Sequence, residues 1–312
     1  MGVLRADPHD PLDVEPPVAL LARRQSATAQ PFVRHRAVTP RERCSVKRAA
    51  SETSFVTRHK AAEAALIIFG KAPIPGQVKT RLCPPLTPDE AATLHGSLVL
   101  DVVERSRGLA KLDRVFACAP SRDHVFFKVL GERHGLALID QVGDDLGSRM
   151  DRAFRDVFAM GYQRILLVGT DVPALQASSL TQALGLLHNH DVVLGPALDG
   201  GYYLIGLKQP VPGLFADIPW STDRVCAATT SKAEALGLKT ALLPPCRDLD
   251  TIDDLLALAK EAGPAAQGTK RGAKGSASRP GPLAPGLSAR TAGVIQTLAD
   301  RLRSRLDVTP EA

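Results

Sequence analysis

The sequence predicts one α/β domain with a mostly parallel sheet covered by helices on both faces. Three observations carry that expectation. Between residues 61 and 262, short apolar runs alternate with helical stretches, the arrangement that crossover connections between parallel strands require. The runs are continuously apolar, as in Ala64-Ala65-Leu66-Ile67-Ile68-Phe69 and Leu166-Leu167-Val168, which reads as buried strand. Most helical stretches also open on a capping signal.

In chain order, strands are expected over residues 64–69, 114–117, 164–169, 191–195, 202–207 and 241–243. Thr87, with Pro88 at the first helical position and Glu90 three residues on, makes a capping box before Leu94, Leu98 and Val102. Ser148 with Asp151 offers a second box ahead of Ala153, Phe154, Val157 and Phe158. Ser178-Ser179 opens a helix over 180–187, and Ser221-Thr222 opens one running toward Leu236. Thr251 caps a helix over 252–259, with Asp253 and Asp254 favourably placed in its first turn.

The flanks read differently. Residues 1–60 are rich in Arg, Pro, Ser and Thr with no sustained period, as expected of a disordered basic extension. Residues 263–289 form a Gly/Pro/Ala/Lys linker. Residues 290–312 are expected to hold a short helix and a tail, with Val294, Leu298, Leu302 and Leu306 spaced by four. Residues 1–60 and 263–312 each carry a net +5 against a chain total of +6, which leaves −4 for residues 61–262. The basic pI therefore belongs to the flanks, and nucleic-acid binding by the domain is not expected. Five cysteines (Cys44, Cys83, Cys118, Cys226, Cys246) form no CxxC pair, which argues against a zinc site or a disulfide framework. No apolar run reaches the roughly 18–20 residues of a membrane span, and no secretory signal is evident. A cytoplasmic protein without membrane partners is the expectation.

Five constellations carry chemistry. The loop from Gly70 to Leu82 places Lys71, Lys79, Arg81, Gly70 and Gly76 between a strand and a helix, at the sheet edge where α/β folds bind ligands. Cations beside freed backbone N–H groups suit phosphate oxygens. The loop follows neither the Walker spacing nor GxGxxG. Gly169-Thr170-Asp171-Val172-Pro173 delivers Asp171 to the same edge, where a carboxylate can hold Mg²⁺ or Mn²⁺ against a polyphosphate or simply cap a turn. Asp199-Gly200-Gly201 is first a turn signal, yet the glycines also permit close backbone approach to a ligand. Asp250, just before the Thr251 cap, has no capping duty and is a candidate second metal ligand. In Gly143-Asp144-Asp145-Leu146-Gly147-Ser148-Arg149, Asp145 and Arg149 are left over for a ligand. Trp220, the sole tryptophan, is a candidate sugar platform, with a core or lid role the stronger alternative.

Taken in order, KAPIPGQVKTRL, GDDLGSRM, GTDVP, LGPALDGGYYLIGL, PWSTDRV and DLDTIDDL resemble the GT-A-like nucleotide-dependent transferase superfamily. More narrowly, they resemble a glycosyltransferase family associated in part with arsenosugar biosynthesis, related to guanylyl and molybdenum-cofactor-type nucleotidyltransferases. The resemblance implies a Rossmann-like GT-A three-layer sandwich that binds a nucleotide-activated donor and a divalent metal. It carries the metal-binding role to Asp171 and Asp250 and the phosphate-binding role to Lys71, Lys79 and Arg81. A single aspartate in Gly-Thr-Asp departs from the two-aspartate pattern.

The leading expectation is a metal-assisted glycosyltransferase that uses a nucleotide sugar and a small-molecule acceptor. In it Lys79 and Arg81 stabilise the leaving phosphate, while Asp199 with Gly200 and Gly201 faces the sugar or acceptor. The alternative is nucleotidyl transfer from an NTP, since the Lys71–Lys79–Thr80–Arg81–Leu82 spacing also resembles phospholactate guanylyltransferases. A third reading is a nonenzymatic nucleotide-binding or scaffold protein acting through its basic flanks.

Overall fold

Residues 62–109, 112–262 and 287–306 are described by the structure, a computed structural model. The expected 1–60 extension and all but the last three residues of the 263–289 linker lie outside the described residues.

Seven strands form one sheet: β1 (Ala64–Lys71), β2 (Leu112–Ala119), β3 (Ala137–Asp140), β4 (Arg164–Val168), β5 (Val192–Pro196), β6 (Tyr202–Leu207) and β7 (Thr240–Leu242). Their spatial order is β3-β2-β1-β4-β6-β5-β7, and only β6 runs antiparallel to its neighbours. This is the expected Rossmann-like α/β sheet. Residues along β1 alternate between two cores, as the two-residue period of a strand demands. Leu66 and Ile68 join one cluster and Ala65 and Ile67 the other.

The first cluster is closed by α1 (Pro88–Ser106), α2 (Val125–His134) and α4 (Ala177–Leu186); the second by α3 (Leu146–Ala159) and α5 (Val225–Ala235). A third cluster joins the outer side of α1 to α6 (Ile252–Ala262) and α7 (Ala289–Leu306). Helix α1 therefore buries two faces. Val99, Val102 and Val103 face the sheet, while Leu94 and Leu98 face α6 and α7.

Several boundaries differ from expectation for local reasons. The α3 box is set three residues early: Asp145 is the cap, bonded to the Ser148 N–H at 2.7 Å, and Ser148 rather than Asp151 closes the box. Helix α5 starts at Val225, because the Thr222 hydroxyl accepts from the Arg224 N–H in a local turn. The strand β3 and the helix α2 were not anticipated. His124 caps α2 and Gly135 ends it in the left-handed region. Helix α7 is no separate appendage. It buries Ala292, Ile295, Leu298, Ala299 and Leu302 on the domain, a 3–4 spacing rather than the strict fours expected.

Candidate active site

The sheet order reverses direction between β1 and β4, and the crevice beyond their carboxyl ends is the ligand position of open α/β sheets. A cavity of about 540 Å³ opens there. Its lining includes Gly70 and Lys71 at the end of β1, Lys79 and Arg81 from the loop after it, Gly169, Thr170 and Asp171 after β4, and Asp250 before α6. Loops 100 residues apart in sequence thus meet at one edge, as their strands dictate.

Lys79 sits at the floor. Its side chain is 4% exposed, and its ammonium lies 2.5 Å from Asp171 Oδ1, 2.9 Å from Asp250 Oδ1 and 2.6 Å from the Leu249 carbonyl oxygen. An ammonium has three donors, and here three acceptors take them. Lys79 also has φ 50°, a left-handed conformation that a non-glycine residue adopts at a cost of about 1–2 kcal/mol. That turn hands the chain into a short 3-10 turn, Thr80–Leu82. Burial alone would lower the Lys79 pKa, but Asp171 and Asp250 overcome it and hold the ammonium above its ordinary range. Burial likewise disfavours the Asp171 carboxylate, yet Lys79 wins and keeps it below the usual carboxylate range. Although Asp171 lies deep in the cleft, its side chain remains 49% open to the cavity.

The expectation grouped Lys79 with Lys71 and Arg81 as phosphate cations, and the structure separates them. Lys79 is buried and saturated, whereas Lys71 and Arg81 are exposed at the mouth. Arg149 joins them, its Nε donating to the Gly143 carbonyl at 2.8 Å. Gly70 lines the cavity and also has a packing duty, since a Cβ there would meet Phe116 at 2.8 Å. Gly76 turns the loop with φ 76° in open space.

Asp199 lies outside this cavity lining. Its Oδ1 accepts from the Gly201 N–H at 2.8 Å, holding the hairpin between β5 and β6. Gly200 is needed by its own chain: at φ 90°, an added Cβ would sit 2.0 Å from the Asp223 carbonyl oxygen. The hairpin is stitched to the segment before α6 by Leu198 N–H to Cys246 O at 3.1 Å. That stitch brings Asp199, Asp248 and Asp250 together, with one oxygen of each within 4.8 Å of the others. Burial, then the Asp199 and Asp250 charges, push Asp248 up to about 6. Asp250 thus belongs to two groups, one paired with the Lys79 ammonium and one purely acidic. The charge and oxygen chemistry of Asp171, Asp250, Asp248 and Asp199 fit a hard divalent cation such as Mg²⁺ or Mn²⁺.

Two other expected ligand residues have structural partners. Asp145 is spent on capping α3. Trp220 packs on the first turn of α3, where a Cβ on Gly147 would fall 2.6 Å from its ring, and it is not part of the cavity lining.

The structure adds His95, which no motif flagged. It projects from α1, 5% exposed, with Nε2 3.0 Å from the Lys71 carbonyl oxygen and Nδ1 4.0 Å from Asp171 Oδ1. A carbonyl only accepts, so Nε2 carries the hydrogen. Burial lowers the His95 pKa against the pull of Asp171, leaving Nδ1 a lone pair without a hydrogen-bond partner among the described residues. Its legible signal was a polar residue beside the apolar face that starts at Leu94. Gln141 also lines the cavity, its amide donating to the Gly70 and Ala117 carbonyls at 3.0 and 2.9 Å. It locks the ends of β1 and β2 together.

Residues 102–222 match the model of a family described as an uncharacterized protein conserved in bacteria, DUF2064. The chain is 30% identical over 138 residues to 2-phospho-L-lactate guanylyltransferase of Methanothermobacter thermautotrophicus, a match covering 44% of this chain and 59% of that enzyme. It is 29% identical over 193 residues to 3-phospho-D-glycerate guanylyltransferase of Phenylobacterium zucineum, covering 58% and 84% respectively. A solved structure from Desulfovibrio desulfuricans G20, described as a nucleotide-diphospho-sugar transferase, superposes with a TM-score of 0.65 at 28% identity. That match covers 78% of this chain and 98% of the other. The domain is thus similar in sequence to two guanylyltransferases and in fold to a nucleotide-diphospho-sugar transferase.

Proposed function

We propose that this protein is a nucleotidyltransferase that moves a nucleoside monophosphate from an NTP onto a small phosphorylated acid. The single observation that carries the reading is the Lys79 ammonium held between Asp171 and Asp250 at the floor of a cavity rimmed by Lys71, Arg81 and Arg149. Phosphoryl chemistry asks for cations and carboxylates in that arrangement and little else.

Lys71 and Arg81 meet the β- and γ-phosphates at the mouth, where exposed cations can follow a flexible polyphosphate. Lys79, its three donors taken by Asp171, Asp250 and Leu249, holds the two carboxylates in place at the cavity floor beneath the α-phosphate. An acceptor phosphate oxygen attacks the α-phosphorus, the bond from that phosphorus to the β-bridging oxygen breaks, and pyrophosphate departs with its electron pair. Arg149, on the α3 side of the cavity, is placed for the acidic acceptor. Mg²⁺ or Mn²⁺ held by Asp171 and Asp250 would offset triphosphate charge. The two guanylyltransferase relatives support GTP as donor and a phosphorylated hydroxy acid as acceptor.

Glycosyl transfer from a nucleotide sugar is the second reading, favoured by the Desulfovibrio likeness. It assigned Asp199 to the acceptor hydroxyl, and the Gly201 N–H bond that ties Asp199 into its hairpin weighs against that role. The test is a product screen in Mg²⁺ or Mn²⁺. NTPs are offered with phosphorylated acids, and nucleotide sugars with hydroxyl acceptors. Acceptor-dependent pyrophosphate is the expected product; free nucleoside diphosphate from a sugar donor would replace this reading with the second.

A further inference from the structure

Leu249 has two sides. Its backbone belongs to the site: the carbonyl accepts from Lys79 at 2.6 Å, and the N–H donates to the Asp171 carbonyl at 2.9 Å. Its side chain is fully buried in the third apolar cluster, together with Leu82, two residues past Thr80 and bonded through its N–H to the Lys79 carbonyl at 3.0 Å. The same cluster takes Ile295, Leu298, Ala299 and Leu302 from α7.

Helix α7 is fastened at both ends to α1. At its start, the Ser288 hydroxyl donates to buried Asp101 at 2.6 Å, and Arg290 donates to both Glu104 oxygens at 2.9 Å. In the second turn from its end, Arg301 pairs with Glu90, the residue that closes the α1 capping box. α1 in turn carries His95 to the Lys71 carbonyl. Rigid docking of α7 is therefore transmitted to the loop after β1 and to Asp250 by contiguous packing of buried side chains.

We infer that α7 is a positioning element of the site: it fixes Lys79 between Asp171 and Asp250 by backing Leu249 and Leu82. The helix lies past the 263–286 segment and contributes no residue to the cavity lining. This deepens the proposed function, but its first readout needs no nucleotide.

The experiment uses the full chain. Lysines of the ligand-free protein are acylated briefly and quantified by mass spectrometry. Lys79, buried and paired, is expected to label at least about tenfold less than exposed Lys71. Ile295→Ala should raise Lys79 labelling about tenfold and weaken GTP binding by calorimetry, and Ile295→Val should restore most of the protection. Val157→Ala, in the cluster on the other face of the sheet, serves as control. At an equal loss of Tm it should leave Lys79 protected. If Ile295→Ala does not fold, Arg290→Gln, whose side chain is 39% exposed, should show the same change at smaller size. Equal labelling in the α7 variant and the control, or no change in either, overturns the inference. Labelling as expected without GTP binding by any form upholds the positioning role and removes only the nucleotidyltransferase reading.

Discussion

Asp250 faces two environments within a few ångströms. On one side, Lys79 binds it and Asp171 in a closed arrangement with every ammonium donor used. On the other, Asp199 and Asp248 confront it with no cation among the described residues, and Asp248 is pushed up to about 6. The first is a preorganised, cation-paired site that folding itself assembles. The second is an electrostatic debt that a bound cation would relieve. A protein selected only for stability has little reason to keep the second beside the first; a polyphosphate-handling site has a reason to keep both.

The largest effect expected from breaking this contrast is at Lys79. Lys79→Met strands two partly buried carboxylates. The cost should be about 2–3 kcal/mol, below the 3–5 kcal/mol of a fully buried pair because Asp171 and Asp250 remain partly open. Turnover should fall by about 10³ or more. Chemical denaturation and steady-state rates measure the two losses, and full activity in this variant would remove Lys79 from the chemistry.

Next come the rim cations. Lys71→Ala and Arg81→Ala should each weaken NTP affinity about tenfold and reduce its dependence on ionic strength, with little change in Tm. Calorimetry at two salt concentrations checks this. His95→Ala should follow, leaving the Lys71 carbonyl unpaired at a cost of about 1–2 kcal/mol. It should raise KM for NTP more than it lowers kcat, since it loosens the loop while the three bonds of the Lys79 ammonium remain; a loss confined to kcat would contradict that.

The acidic corner gives a smaller effect of opposite sign. A carboxyl raised from its ordinary range to about 6 stabilises the fold below the unfolded value and loses that contribution as pH climbs through 6. Asp248→Asn, in chelator-treated protein, should match wild type near pH 4. It should gain about 1 kcal/mol, or roughly 2–4 °C in Tm, by pH 7–8. A constant offset across that range would show that Asp248 is not strained. Smallest for function is Asp145→Ala. Loss of the α3 cap should cost about 1 kcal/mol with NTP affinity unchanged, which separates a capping residue from a ligand-binding one.

Much of this was legible in the sequence because strands announce their carboxyl ends. The apolar runs ending near Phe69 and Val168 place Lys71 and Asp171 at one edge before any coordinates exist. The Thr251 cap likewise isolates Asp250 as a residue without local work. What was not legible depends on pairing across the sheet. The opposing roles of Lys79 and Lys71, eight residues apart on one loop, follow from the left-handed turn at Lys79 and from Leu249 meeting it. Asp199 looked available because its bond to Gly201 and the stitch to Cys246 exist only in the folded hairpin. His95 needed the knowledge that α1 buries two faces, a pattern blurred by reading one stripe of leucines.

The central claim is that the Lys79–Asp171–Asp250 cluster acts on the α-phosphorus of an NTP. It is tested most directly by following GTP radiolabelled at the α-phosphate through single turnovers of wild type and Lys79→Met with phosphorylated hydroxy acids. The account predicts label in the acceptor, unlabelled pyrophosphate in equal amount, and transfer suppressed by about 10³ in Lys79→Met. Label transfer undiminished in Lys79→Met, or wild-type label left entirely in guanine nucleotide with every such acceptor, would contradict it.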